Sequence, residues 1–268
     1  MPSPPDPDRR GILHPRAAAE HFTLVRHAPA PDLAAFVDWH WIVRWDLRGK
    51  PPYASEVLPY PSVNLAVGTH RPGLHGVCTT RFVAQLEGLG WTLGTKFRAG
   101  GFRAFLDRPV SELTDRELPL GELFGAAGAR LDHAVHEAAD DVARVGLVGA
   151  FLRERVRPSD DIRDAVRIVE LAMRDRSVVR VDELARRAGV SMRGLERLFR
   201  SHVGVSPKWA IRRFRVQEAA ERAAAGTPPN WSAFAHELGY YDQAHFIRDF
   251  KAQVGRTPTS YVAQCAKP

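Results

Sequence analysis

Two short stretches of this chain carry side chains suited to reading the edges of base pairs. In SMRGLERLFR (residues 191–200) these are Arg193, Glu196 and Arg197; in DQAHFIRDFK (residues 242–251) they are Gln243, Ala244 and Arg248. A guanidinium makes two parallel hydrogen bonds to guanine O6 and N7, and a carboxamide does the same for adenine. A carboxylate accepts from cytosine N4, and an alkyl group such as Ala244 or Ile247 touches a thymine methyl. Ser191, Arg200, Lys208, Lys251 and Arg256 stand nearer to the expected helix ends, where contacts to phosphate oxygens position a protein on the duplex. Between the outward residues, Leu195 and Phe199, and again Phe246 and Phe250, recur at i and i+4, the spacing that buries one face of a helix.

The elements that must hold these residues occur twice. Leu184-Ala185-x3-Gly189 returns as Phe234-Ala235-x3-Gly239, and Leu195-x3-Phe199-Arg200-x3-Gly204-x2-Pro207 returns as Phe246-x3-Phe250-Lys251-x3-Gly255-x2-Pro258. Each copy predicts a short helix, a turn at glycine, a second helix and a glycine-proline stop, the pattern of a helix-turn-helix reader of the major groove. One such pattern is weak evidence; two in register are strong. At Gly189 and Gly239 a left-handed backbone would cost a residue with a Cβ roughly 1 kcal/mol or more. Ser191, Asn230 and Asp242 are placed to cap helices. A long helix opening at Ser206-Pro207 and running to Ala225 before Gly226 joins the two copies. A helix over Asp161–Arg176 precedes them, with Ile162, Val166, Val169 and Met173 as its apolar stripe and Arg163, Arg167 and Arg174 on the other side.

The stretches DELARRAGVSMRGLERLFRSHVGVSPKWAIRRFRVQEAA and AFAHELGYYDQAHFIRDFKAQVGRTPTSY closely resemble the DNA-binding domain of the AraC/XylS family of transcription regulators. The resemblance covers about Asp160–Tyr261, and GYYDQAHFIRDFKAQVGRTPTSY is its most specific part. It implies two helix-turn-helix units joined by a long helix and inserted into successive major grooves, with base-contacting roles for Arg193, Glu196, Arg197, Gln243, Ala244 and Arg248. Ala244 and Ile247 are apolar where many members are polar, which puts hydrogen-bonded readout there in doubt, and Trp231 replaces the usual aliphatic residue. Farther forward, PDLAAFVDWHWIV, EVLPYPSVNLAVG and GTKFRAGGFRAFLDRPVSELTDRELPL look like the uncharacterised sensor-type N-terminal domain of some AraC-like regulators. A β-rich, cupin-like fold ending in helices is implied there.

Read from the residues themselves, positions 21–100 are short apolar segments broken by Pro and Gly, which predict strands at Trp39–Trp45, Val57–Leu58, Val63–Val67 and Phe82–Leu89. Helical text follows at Phe102–Leu106, Leu118–Phe124 and Ala129–Arg155, and Arg157-Pro158-Ser159 interrupts it. The expected class is α+β, with a flexible Pro-rich arm over 1–20, a sensor domain over 21–156 and an all-α double helix-turn-helix domain over 157–268. Trp39, Trp41, Trp45 and Tyr53 would line an apolar ligand pocket or form a sheet core with edge aromatics; both readings can hold together. Gly100-Gly101, flanked by Arg98 and Arg103, reads as a plain turn ahead of an anion site. His70, His75, Cys78, His133 and His136 match no zinc spacing, so no metal or other cofactor is expected.

Charge supports the same division. The net charge of +7 falls mostly on residues 160–268, and Val181–Arg215 holds 9 basic against 3 acidic residues, the footprint of a phosphate-backbone binder. An arginine-rich genome would explain part of that excess. No apolar run approaches the ~20 residues that span a bilayer, and no signal-peptide core opens the chain, so a cytoplasmic protein with two reduced cysteines is expected. No nucleophile, base and orienting group occur together, and Cys78 and Cys265 sit in a loop and a tail, so an enzyme fused to a DNA-binding tail is disfavoured. The reading is a sequence-specific regulator of transcription. Its expected partners are double-stranded promoter or operator DNA, a small apolar or amphipathic effector, a second copy of the chain, and RNA polymerase if it activates. A partner- or signal-binding protein with a vestigial DNA-binding half is the alternative.

Overall fold

The computed structural model describes residues 11–224 and 230–265. The N-terminal half is built on β2 (Val37–Leu47), whose alternation sends Trp39, Trp41, Val43 and Trp45 to one face and His40 and Ile42 to the other. β2 pairs antiparallel with β1 (Thr23–His27) and with β7 (Gly88–Phe97), and the sheet continues through β4 (Asn64–Gly68), β5 (Gly73–His75) and β8 (Glu117–Leu118). β3 (Tyr53–Val57) and β6 (Phe82–Leu86) form a separate antiparallel pair.

Where the sequence suggests one strand over Phe82–Leu89, two form, because Gly88, at φ +58°, begins a new strand after β6 ends. β7 is rich in glycine for a steric reason. Gly94 lies opposite Trp41 and Gly90 opposite Trp45 in the β2–β7 register. A Cβ at Gly94 would stand 2.0 Å from the Trp41 indole, and one at Gly90 2.3 Å from Trp45. The indoles therefore lie flat over the neighbouring strand, a close approach that only glycine permits. The segment at Val57–Leu58 proves to be the end of a strand that begins at Tyr53.

The opposite sheet face is covered by α2 (Leu120–Phe124), α3 (Ala126–Glu137) and α4 (Asp141–Arg153), whose Leu131, Val135, Val148, Phe151 and Leu152 share a core with Ile42, Leu65, Val67, Leu93 and Phe97. The single Ala-rich helix expected over Ala129–Arg155 divides because Asp140 accepts the Ala143 N–H at 2.8 Å and starts a new helix. Of the arm expected over 1–20, the first ten residues lie outside the described residues. From Gly11 onward it is held rather than flexible. Leu13 N–H donates to Glu56 O and Leu58 N–H to Gly11 O, both at 2.8 Å, so the segment completes the free edge of β3. The following turn of helix, α1 (Pro15–Ala19), buries Ala18 in a small core with Phe22, Trp45, Leu47 and Leu86.

The helical half comprises α5 (Asp160–Arg174), α6 (Val181–Ala188), α7 (Met192–Leu198) with a wide turn over Phe199–Val203, α8 (Pro207–Ala224), α9 (Trp231–Glu237), α10 (Gln243–Val254) and α11 (Pro258–Cys265). The expected end of the linking helix at Ala225-Gly226 lies outside the described residues. Pro158 starts α5 but does not separate two cores. One apolar cluster runs from Phe97, Phe102 and Val110 through Ile162 and Val169 to Phe199 and Phe214. Polar contacts follow it across: Thr114 Oγ1 donates to Gly204 O at 2.6 Å, and Gln217 Nε2 to Leu58 O at 3.0 Å. Met173, placed on the stripe of α5 by its spacing, is exposed at the stripe's edge. Among the described residues no helix is long and apolar enough to cross a membrane.

His40 sits buried on the helix side of β2, 2.8 Å from Thr95 Oγ1, and burial, reinforced by nearby His27, lowers its pKa from 6.5 to about 4. Protonation then favours the unfolded chain. Stability is complete above the unfolded value of 6.5 and is lost as pH falls toward 4, by up to about 3 kcal/mol. Denaturant unfolding of the wild type and His40→Gln at pH 7.5 and pH 5 checks this. The wild type should lose stability on acidification and the variant should lose much less.

Candidate nucleic-acid interface and effector pocket

The two helix-turn-helix units are built alike in atomic detail. In the first, Val190 N–H donates to Ala185 O at 3.0 Å across a turn whose Gly189 has φ +71°, and Ser191 Oγ accepts the Gly194 N–H at 3.0 Å to open α7. In the second, Tyr240 N–H donates to Ala235 O at 2.9 Å, Gly239 has φ +77°, and Asp242 accepts the His245 N–H at 2.6 Å to open α10. Asn230 caps α9 through the N–H groups of Ser232 and Ala233. Leu195, Phe199, Phe246 and Phe250 are fully buried, which fixes the rotation of each second helix. Trp231 lies half-buried and stacked on Phe246, with ring centroids 5.8 Å apart, and so fills the site where an aliphatic residue is usual.

Turned away from those anchors, Arg193, Glu196, Arg197 and Arg200 are exposed on α7 and its extension, and Gln243, Ala244, Arg248 and Lys251 are exposed on α10. Ser191 and Lys208 are exposed as well. Ile247, placed outward by spacing alone, packs partly against the core formed by Phe246 and Phe250. The second unit is braced against α8: Tyr240 Oη donates to Asp249 Oδ2 at 2.5 Å, and Arg212 Nε donates to the same oxygen at 3.0 Å. Burial, with the Asp249 carboxylate beside it, holds the Tyr240 phenol well above its usual range, so it stays a donor.

The ion pairs of the helical half divide its cations into two sets. Arg163, Arg167, Arg174, Arg176, Arg180, Arg186, Arg187, Arg212, Arg215 and Arg222 each pair with a carboxylate of that same half. Arg193, Arg197, Arg200, Lys208, Arg248 and Lys251 have no carboxylate partner among the described residues. The unpaired set coincides with the second helices of the two units and the start of α8. Two arginines fall outside both sets. Arg213 is buried in α8, where its guanidinium donates to Thr79 O at 2.5 Å and burial lowers its pKa to about 10. Arg256, expected at a phosphate, instead holds Glu56 of β3 at 3.0 Å.

The tryptophan face of β2 forms one wall of a cavity of about 250 Å³ that is closed on the other side by β3 and β6. Trp39, Trp41 and Trp45 line it, with Tyr60 and Phe82. Tyr53 does not. It shares a face of β3 with Ser55 and Val57 but lies beyond the lining, stacked on His21 with centroids 3.9 Å apart and packed against the small core that holds Phe22 and Trp45. Trp39 is gripped by two cations, Arg26 at 4.3 Å and Lys96 at 4.0 Å from the ring centroid. Lys96 also pairs with Asp38 at 2.8 Å, and burial lowers its pKa against that pairing. His70, His75 and Cys78 line the same cavity, yet among the described residues no three metal-ligating side chains converge. At Gly100-Gly101, Arg98 is engaged by Ala34 O and Glu170, and Arg103 by the carbonyls of Leu106 and Asp107, so the segment serves as a turn in the core.

A profile described as a helix-turn-helix domain matches residues 184–264, and one described as a domain of unknown function (DUF6597) matches residues 25–119. An uncharacterized HTH-type transcriptional regulator of Haemophilus influenzae is 25% identical over 153 residues, which is 53% of this chain and 51% of that protein. The HTH-type transcriptional regulator GlxA of Rhizobium meliloti is 38% identical over 77 residues, 29% of this chain and 24% of that protein. A crystal structure of an AraC-type transcriptional regulator from Chromobacterium violaceum is 26% identical, with a TM-score of 0.34, and covers 40% of this chain and 94% of that one. Residues 184–264 are an AraC-type helix-turn-helix domain. The chain spans about half or less of the length of the regulators it matches by sequence. Within the AraC-type domain, Arg197→Ala and Arg248→Ala should each cost ~1–3 kcal/mol of DNA binding at particular base pairs, while Lys251→Ala should weaken all duplexes alike. Affinities for a panel of single-base operator variants decide it; uniform losses for the two arginines refute base readout.

Proposed function

We propose that the chain is a transcription regulator that binds specific double-stranded DNA by placing α7 and α10 in successive major grooves. The observation that carries this reading is the division of the cations. Ten arginines elsewhere in the helical half are neutralised within that half, while those on the two second helices are exposed and unpaired. Unpaired cations on a rigid surface are what counterion release from a phosphate backbone requires. Arg193, Glu196, Arg197, Gln243, Ala244 and Arg248 are assigned to bases, and Ser191, Arg200, Lys208 and Lys251 to phosphates. Selection of the full-length chain on a random duplex library, followed by salt titration of the enriched sequence, tests this. Enrichment of one motif and a steep fall of affinity with salt are expected; no enrichment, or binding indifferent to salt, overturns it.

The cavity of the N-terminal half is assigned to a small, mainly apolar effector. Its walls are tryptophan, leucine, valine and phenylalanine, and Arg26, His70, Arg71, His75 and Lys96 offer donors for a polar end, with no Asp or Glu among the lining residues described. A ligand that prefers the folded chain stabilises it by RT ln(1 + [L]/Kd), about 2.7 kcal/mol at a hundredfold excess over Kd. Screening aromatic and aliphatic acids, amines and neutral compounds by thermal shift should therefore give a hit. Ala66→Phe, which fills the cavity from β4, should abolish it. A hit that survives Ala66→Phe, or no hit in any class, counts against the assignment.

A further inference from the structure

We infer that Glu56 is an autoinhibitory anchor: by holding Arg256 against β3 it withholds a phosphate-binding arginine of the second helix-turn-helix unit. The inference rests on the DNA-binding reading above. Arg256 follows α10 directly, in the turn that ends the unit, and its chain neighbours on that surface, Lys251 and Arg248, are exposed and unpaired. Arg256 is instead committed to the other half of the protein. Its Nη2 donates to both Glu56 carboxylate oxygens, at 3.0 and 3.3 Å, and its Nη1 contacts Gln264 Oε1 and His14 Nε2. A guanidinium with both ends engaged has no fork left for a phosphate.

Glu56 is placed for this purpose by strand alternation. Ser55 and Val57 face the cavity, so Glu56 faces the helical half. There it also forms an ion pair with Arg81, Nη1 to Oε1 at 3.3 Å, and Arg81 Nη1 donates in turn to Val254 O at 3.2 Å, the last turn of α10. A Cβ at Gly255 would stand 2.3 Å from Arg81 Nη1, so the turn is seated on that side chain. Two arginines, one from each half, thus share one carboxylate, and the strand that carries it is also a wall of the cavity. An occupant that displaces Ser55 or Val57 displaces Glu56 with them.

The test is the salt dependence of DNA binding by full-length variants on the enriched duplex. Each phosphate contact contributes a slope of about −0.9 in log Kobs against log salt. Glu56→Gln, which removes the charge and keeps the shape, should steepen the slope by about that amount. The loss of affinity between about 50 and 200 mM salt then grows by a further threefold, roughly. Glu56→Ala should do the same, and covers the case in which glutamine still holds the guanidinium by a hydrogen bond. Adding Arg256→Ala to either variant should return the slope to the wild-type value. Unchanged slopes in both Glu56 variants, or a gain that persists without Arg256, overturn the anchor. Lys251→Ala separates the two failures. If it flattens the slope while the Glu56 variants leave it alone, DNA binding stands and the anchor falls; if no variant binds DNA with salt sensitivity, both fall.

Discussion

The structure depends on the burial of α8. A helix that joins two DNA-reading units would be expected to show a polar side to water, yet Arg213, Arg215 and Gln217 are as enclosed as Ile211, Phe214 and Val216 around them. Each of these three side chains donates to at least one backbone carbonyl. Arg213 takes Thr79 O, Gln217 takes Leu58 O, and Arg215 takes the carbonyls of Ala172, Asp175 and Val178 at the end of α5. Losing these bonds would leave further buried donors unmet, so they favour one docking of the helix against the N-terminal half and one against the end of α5. The same helix holds α10 through Arg212 and Asp249. The orientation of both reading helices is therefore set by contacts that include the N-terminal half.

Much of the reading surface was legible in the sequence, because it rests on local physics. Capping by Ser191, Asn230 and Asp242, left-handed glycines at 189 and 239, and buried pairs at i and i+4 are each decided within a few residues. The repeat supplied the register, and exposure follows once the buried face is known. What could not be read is non-local. Arg256 stands five residues beyond Lys251 at the helix end, and its pairing with a strand two hundred residues away cannot be read from that local sequence. Ile247 and Met173 fit their helical spacing but sit at the edges of faces, where packing by neighbouring elements decides.

The N-terminal half was harder for a related reason. Glycine in a strand is ordinarily a weakness, so GLGWTLGTKF reads as broken text. Its two inner glycines instead complement Trp41 and Trp45 on the paired strand, a relation that appears only when the register is known. Tyr53 is grouped with the tryptophans by composition, and the parity of β3 agrees, but at the start of the strand it packs against His21 and Phe22 instead of lining the cavity. The packing of the arm from Gly11 onward likewise needs the free edge of β3 to exist before it has a reason.

These relations bear on how the halves communicate. An effector changes DNA binding only if its affinity differs between two arrangements of the chain. The cavity wall that faces the helical half is one continuous segment, β3 followed by Leu58, Pro59 and Tyr60. Glu56 of that segment holds Arg256, Leu58 O holds Gln217, and Tyr60 stands against Phe214 and Glu221 of α8. Ser55 and Val57 face the cavity, while Glu56 and the Leu58 carbonyl between and beside them face the helical half. A shift of this segment would change three contacts at once, and closely packed interfaces favour discrete arrangements over smooth deformation. On the proposed function, coupling between cavity and DNA would require no long pathway, since a wall of the cavity is also the surface that meets the helical half.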